Sequence, residues 1–224
     1  MVPEGDGVSP PGEASRRTSP ATDFPPPPWR LQGEAYLGLW QVDARALPRD
    51  RIPAAARPVT IGHRGFIATM WVDYQDGGVL AYQEFLVAVV GRVGARPCLT
   101  TTDIWVNSMP SMVGGRTLWG IPKDLAAFSI RHGRRSDFEM DVEGKGRVDG
   151  SFRTRWTLPF TVPISGLLVQ ELDGVAHRVR FRSRCGMRFG HADLAIHMPG
   201  LEYLTDARPI VSCGLPDFRA VFGS

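Results

Sequence analysis

The run VLAYQEFLVAVV, Val79 to Val90, decides the fold class. Strand side chains point alternately to opposite faces, and here both alternating rows are apolar. Such a run reads as a strand covered on both sides. It follows Asp76-Gly77-Gly78, a turn signal, and the same texture recurs outward from it. Segments rich in Val, Ile, Phe, Trp and Thr occur at Glu34–Val42, Gly65–Tyr74, Cys98–Val106, Ala126–His132, Phe138–Glu143, Arg147–Trp156, Gly166–Leu172, Val175–Cys185 and Leu194–His197. Asp173-Gly174 and Gly144-Lys145-Gly146 punctuate them as hairpin turns. Helical periodicity is weak, with short helices predicted at Ala44–Leu47 and Asp217–Phe222, and no repeat is visible. The sequence therefore predicts a mainly β fold (α+β). Its core is a barrel or strongly curved sheet with a few short helices.

One residue breaks the apolar rows of the opening stretch. Glu84 shares its parity with Leu80, Tyr82 and Leu86. A buried carboxylate costs several kcal/mol unless it is paired. Two roles fit it: a general acid or base, or a structural partner for an arginine.

The chain has 224 residues, of which 43% are hydrophobic, enough for one domain with a sizeable core. Residues 1–28 are rich in Pro, Gly, Ser and charge and end in Pro25-Pro26-Pro27-Pro28. They read as a disordered tail ahead of a domain spanning 29–224. Cys98, Cys185 and Cys213 are unpaired in spacing, which argues against a disulfide framework and against a zinc knuckle. The five histidines have no metal-ligand spacing. No apolar run is long enough for a membrane span, and no secretory signal follows Arg16-Arg17. The net charge of +3 is interspersed with acids, which disfavours nucleic acid as a partner. The reading is a soluble, cytoplasmic protein. In Val175–Cys185, Arg178, Arg180, Arg182 and Arg184 fall on one parity. That row reads as a solvated face or subunit contact, or as a site for a phosphate-bearing partner such as a carrier-protein or coenzyme A arm.

Of the 26 basic residues only Lys123 and Lys145 are lysines. Lys145, between two glycines in a turn, reads as solvated. Lys123 stands in GRTLWGIPKDLAAF, Gly115 to Phe128, beside Trp119, Ile121, Leu125 and Phe128. An arginine cannot lose its proton in practice, but a lysine in an apolar wall can, and then attacks carbonyls. A chain that otherwise uses arginine thus marks Lys123 as a candidate nucleophile.

Gly115-Arg116-Thr117-Leu118-Trp119-Gly120-Ile121-Pro122-Lys123 resembles the active-site segment of the acetoacetate decarboxylase superfamily. Pro28-Trp29-Arg30-Leu31 through Tyr36, Tyr82-Gln83-Glu84, and Pro199-Gly200-Leu201 through Asp217-Phe218 are similar to its opening, Tyr-X-Glu and C-terminal segments. The resemblance implies a curved antiparallel β-cone around a central cavity, in homo-oligomers, with no metal or organic cofactor. It implies a Schiff base on Lys123 assisted by Glu84, on a keto acid or larger keto compound, with decarboxylation or aldol and dehydration chemistry. Tyr82, Trp119, Arg116 and Arg30 are the implied substrate-binding residues. Asp124 replaces the decarboxylases' second lysine, and Gly33 or Glu34 stands where they carry an arginine for the substrate carboxylate. Acetoacetate is therefore not the substrate this sequence favours. Two alternatives share the scaffold. One is a non-covalent cyclase, dehydratase or isomerase of natural-product biosynthesis acting on a polyketide-like intermediate. The other is a non-catalytic binding protein.

Overall fold

The computed structural model describes residues 23–223; the first 22 positions of the Pro-rich tail lie outside the described residues. Among the described residues, fourteen strands and one α-helix follow in chain order, besides two single-turn 3-10 helices at Arg49–Arg51 and Glu202–Leu204. They are β1 (Trp29–Asp43), β2 (Arg57–Pro58), β3 (Thr60–Ile61), β4 (Arg64–Tyr74), β5 (Tyr82–Val93), β6 (Arg96–Val106), α1 (Met109–Trp119), β7 (Lys123–Leu125), β8 (Ala127–Arg131), β9 (Arg135–Val142), β10 (Gly146–Thr157), β11 (Val162–Leu172), β12 (Val175–Cys185), β13 (Arg188–His197) and β14 (Arg208–Phe222).

Seven strands close on themselves in the order β1-β4-β5-β6-β11-β12-β14, and β14 pairs back onto β1. Closure removes the exposed edges of an open sheet. All junctions are antiparallel except β6–β11, which run parallel through Leu168 and Leu99. Gln170 reinforces that seam: its side-chain amide donates to the Thr101 carbonyl at 3.0 Å and accepts from the Thr101 N–H at 3.1 Å. The 15-residue β14 also divides its outer edge. Phe222 to Arg219 pair with β12, and Gly214 and Cys213 pair with β13, from which β10, β9 and β8 extend a second sheet.

The alternation of β5 explains two cores. Phe85, Val87 and Val89 face outward and pack with Tyr36 and Trp71 against Phe138, Met140, Val148 and Phe152 of the second sheet. Tyr82 faces inward with Trp29, Leu31, Ile104, Val106, Leu168 and Val179. Within β5 both rows carry buried residues, as the sequence predicts, while Val79 and Ala81 precede the strand and are exposed.

The two short predicted helices are not formed. Residues 217–222 belong to β14, where Phe218, Ala220 and Phe222 face inward between two partner strands. Tertiary pairing there overrides local preference. Residues 44–47 form a turn closed by the Ala46 N–H on the Asp43 carbonyl at 3.0 Å. The real helix, α1, was hidden by Gly114 and Gly115 in its middle, which lower helix propensity.

Candidate active site

Helix α1 lies against one end of the barrel. The Ser108 side chain caps it by accepting from the Ser111 N–H at 3.3 Å, and Pro110 stands in its first turn. It stops at Gly120, whose φ of 65° is left-handed. A Cβ there would lie 2.1 Å from the Glu171 carbonyl, so both conformation and space require glycine. Its inner surface is carved by small residues. A Cβ on Gly114 would meet the Trp29 ring at 2.7 Å, and one on Gly115 would meet Lys123 Cδ at 2.8 Å. The lysine stem runs through the groove that Gly115 leaves.

After the turn, β7 runs parallel to β6 with Lys123 beside Ile104. That register sends the Lys123 side chain into the barrel, where it is only 4% exposed. Arg116 fixes the backbone at this point, its Nε donating to the Lys123 carbonyl at 2.5 Å. On the facing wall, β4–β5–β6 pairing places Glu84 between Val72 and Val106.

The two charged groups meet. Lys123 Nζ donates to Glu84 Oε2 at 2.7 Å, to Ser111 Oγ at 2.9 Å and to the Tyr82 hydroxyl at 3.2 Å. An ammonium has three donors, so each finds an acceptor. Tyr74 donates to Glu84 Oε1 at 3.2 Å and Tyr82 to Oε2 at 3.4 Å. The Nζ also lies 5.0 Å from the centre of the Tyr82 ring. Burial, and next the charge of Glu84, push both phenols well above their ordinary range, so they stay protonated donors. A proton crossing the 2.7 Å from Nζ to Oε2 turns the ion pair into a neutral amine and a neutral acid. The site thus holds a primary amine in contact with a carboxylate that can take its proton.

The structure brings Lys123, Glu84 and Tyr82 together. Trp119 is buried beside them, edge-on to Trp29 at 4.8 Å and to Phe222 at 4.7 Å. Arg116 reaches the site only through its Nε on the Lys123 carbonyl; its side chain is otherwise exposed, with Nη2 3.8 Å from Asp124. Arg30 is exposed on β1, on the outward parity between inward Trp29 and Leu31, and does not join the group. Asp124 points out to Arg116 and to Lys145, which is exposed and 3.4 Å away. It therefore does not oppose the Lys123 amine. Ser111 and Tyr74 went unnoticed in the sequence, because only the fold brings the helix and β4 to the lysine.

Arg178, Arg180, Arg182 and Arg184 are all exposed on the outer face of β12. Among the described residues, no cluster of His, Cys, Asp and Glu could hold a metal ion, and no helix is long and apolar enough to cross a membrane. A groove of about 320 Å³ on the second sheet, lined by Arg131, Asp137, Glu139 and Asp193 among others, lies apart from Lys123.

Fold and site together define a closed β-barrel with a buried lysine–glutamate pair sealed beneath a helix. The chain belongs to the acetoacetate decarboxylase (ADC) family, whose match spans residues 10–156 and includes Tyr82, Glu84, Ser111 and Lys123. It is 33% identical over 122 residues to the acetoacetate decarboxylase of Bordetella avium, covering 51% of this chain and 44% of that protein. It is 32% identical over 121 residues to acetoacetate decarboxylase 1 of Mesorhizobium japonicum, covering 50% and 44%. Each match thus spans under half of the relative's length. Among solved structures, the enduracididine biosynthesis enzyme MppR complexed with pyruvate superposes with a TM-score of 0.67 at 21% identity, covering 96% of this chain and 97% of that one. The acetoacetate decarboxylase of Legionella pneumophila superposes with a TM-score of 0.66 at 14% identity, covering 92% and 90%.

Proposed function

We propose that this protein is a cofactor-independent enzyme that activates a keto compound as a Schiff base on Lys123, with Glu84 as its acid and base. The observation that carries the reading is the buried Nζ–Oε2 contact of 2.7 Å. Glu84 takes a proton from the ammonium, and the neutral amine adds to the carbonyl carbon. Tyr82, a protonated donor within reach of Nζ, can steady the oxygen of the tetrahedral adduct. That oxygen leaves as water, and the protonated imine remains. It then draws in the electrons of a bond at the adjacent carbon, giving an enamine that is reprotonated and hydrolysed. Family membership supports this chemistry. A structural neighbour, MppR, has been seen with the condensation product of pyruvate and imidazole 4-carboxaldehyde, which favours carbon–carbon bond chemistry on such a scaffold.

Imine formation must exchange the carbonyl oxygen with water. A ketone labelled with oxygen-18, such as 2-octanone, should lose its label faster with the protein than in buffer, and Lys123→Met should abolish the gain. Retention of the label while deuterium enters the adjacent carbon would instead support non-covalent acid–base catalysis by Glu84.

A further inference from the structure

Strand register gives the composition of the barrel interior row by row. At the level of Glu84 the inward residues are Leu215, Ala35, Val72, Glu84 and Val106. One step further from the helix they are Cys213, Leu37, Met70, Leu86 and Ile104. Leu37, Met70 and Leu86 point into a closed barrel yet are only half-buried. These three side chains keep some contact with solvent, so this row of the interior is not close-packed. Across it, Ile164 and Phe181 are also half-buried. The groups on this side of the lysine are aliphatic, aromatic and thioether.

Charge is confined to one place in this interior. Among the described residues Arg188 is the one arginine that is not exposed, and it is held on the outer face by Glu34 at 2.7 Å. Glu34 lies on the opposite parity to inward Ala35. Among the described residues Lys123 and Glu84 are the two carboxylate or cationic side chains that are buried, and they neutralise each other; the other ionisable side chain on an inward row, His177, holds a buried ring nitrogen with no partner. After imine formation the balance is unchanged. The ammonium's three protons divide between water, which takes two, and the iminium nitrogen, which keeps one, while Glu84 stays ionised. A substrate carboxylate would add an unpaired negative charge to an apolar chamber already holding Glu84, and a buried charge without a partner is strongly disfavoured.

We infer that the substrate is an uncharged aldehyde or ketone bearing an apolar chain, rather than a keto acid. This rests on the imine reading above. It assigns the site to enamine chemistry that breaks or makes a C–H or C–C bond, as in aldol addition, its reversal or dehydration. Decarboxylation is not among its reactions, because the substrate has no carboxylate to lose. Leu37, Met70 and Leu86 are the residues that select the chain.

The test compares 2-octanone with 7-oxooctanoate, which differ only in a terminal methyl or carboxylate. Each is incubated with the protein and borohydride, and adducts are read by mass spectrometry as the added compound less one oxygen. Hydride reduces the imine carbon, leaving a secondary amine on Lys123. The inference predicts at least tenfold faster trapping of 2-octanone. Met70→Arg, which places a guanidinium at a half-exposed position on the approach, should narrow that ratio by raising the keto acid rate. Equal or faster trapping of 7-oxooctanoate by the unaltered protein would overturn the inference while leaving the imine intact. Absence of both adducts would remove the imine reading itself, and the inference with it.

Discussion

Separating the Lys123–Glu84 pair should unfold the protein far more readily than deleting it. At 2.7 Å and an effective dielectric of about 20, the Coulomb attraction is about 6 kcal/mol. Desolvation of two side chains that are 5% and 4% exposed offsets much of it. The net value of the pair is therefore small, but either partner left alone is an uncompensated buried charge. Lys123→Met leaves the carboxylate with only the Tyr74 and Tyr82 hydroxyls, and Glu84→Gln leaves the ammonium with Ser111 and Tyr82. Each single change should cost about 3–5 kcal/mol. The double variant restores neutrality and should cost no more than about 3 kcal/mol, so the coupling is about 3 kcal/mol or more. Urea unfolding of the four proteins measures this, with similar m values as the check that the same transition is followed. Additive losses, equal to the sum of the singles within about 0.5 kcal/mol, would refute the electrostatic account.

Three further outcomes follow from the geometry. Gly115→Ala puts a methyl 2.8 Å from Lys123 Cδ and 2.9 Å from Cε. Helix propensity gains about 1 kcal/mol, so stability should change little while borohydride trapping slows at least tenfold, because the amine is displaced from Glu84. Asp124→Asn removes only exposed contacts to Arg116 and Lys145, and should alter stability by less than about 0.5 kcal/mol and leave trapping rates unchanged. The Tyr74 and Tyr82 phenols are raised above their usual 10.0 by burial and then by Glu84. Their neutral form is favoured in the folded state, so their contribution is intact below about pH 10 and lost as pH rises beyond it. Chemical denaturation between pH 8 and 11 should show that decline, and Tyr74→Phe should flatten it.

The sequence and the structure agree where a residue's own alternation carries the signal. Glu84 stands out in an apolar row, and Lys123 stands out in an arginine-rich chain, so both could be found without coordinates. The hairpin at Asp173-Gly174 was equally legible: both residues adopt positive φ, 53° and 76°, as a two-residue turn between paired Leu172 and Val175 requires. What escaped the reading was assembled from distant parts. Helix α1 carries Gly114 and Gly115 for closeness to Trp29 and Lys123, not for helicity, so its local pattern conceals it. The β14 strand looked helical near its end because its partners, β1 and β12, are remote in sequence. Tyr36 joins Glu34, Ser136 and His132, and His132 reaches Asp73 at 2.9 Å, a network from β1, β4, β9 and the β8–β9 turn that spacing could not foretell. Arg30 illustrates the converse: it sits in a family-like segment, yet its parity turns it out of the barrel.

The central claim is that the Lys123 amine itself carries the reaction. The chain has only two lysines, so borohydride trapping followed by peptide mass analysis gives an unambiguous answer. The account predicts that 2-octanone leaves one adduct on the peptide holding Lys123, none on that holding exposed Lys145, and none at all after Lys123→Met. An unmodified Lys123 in a protein that still exchanges protons at the ketone's adjacent carbon would contradict it.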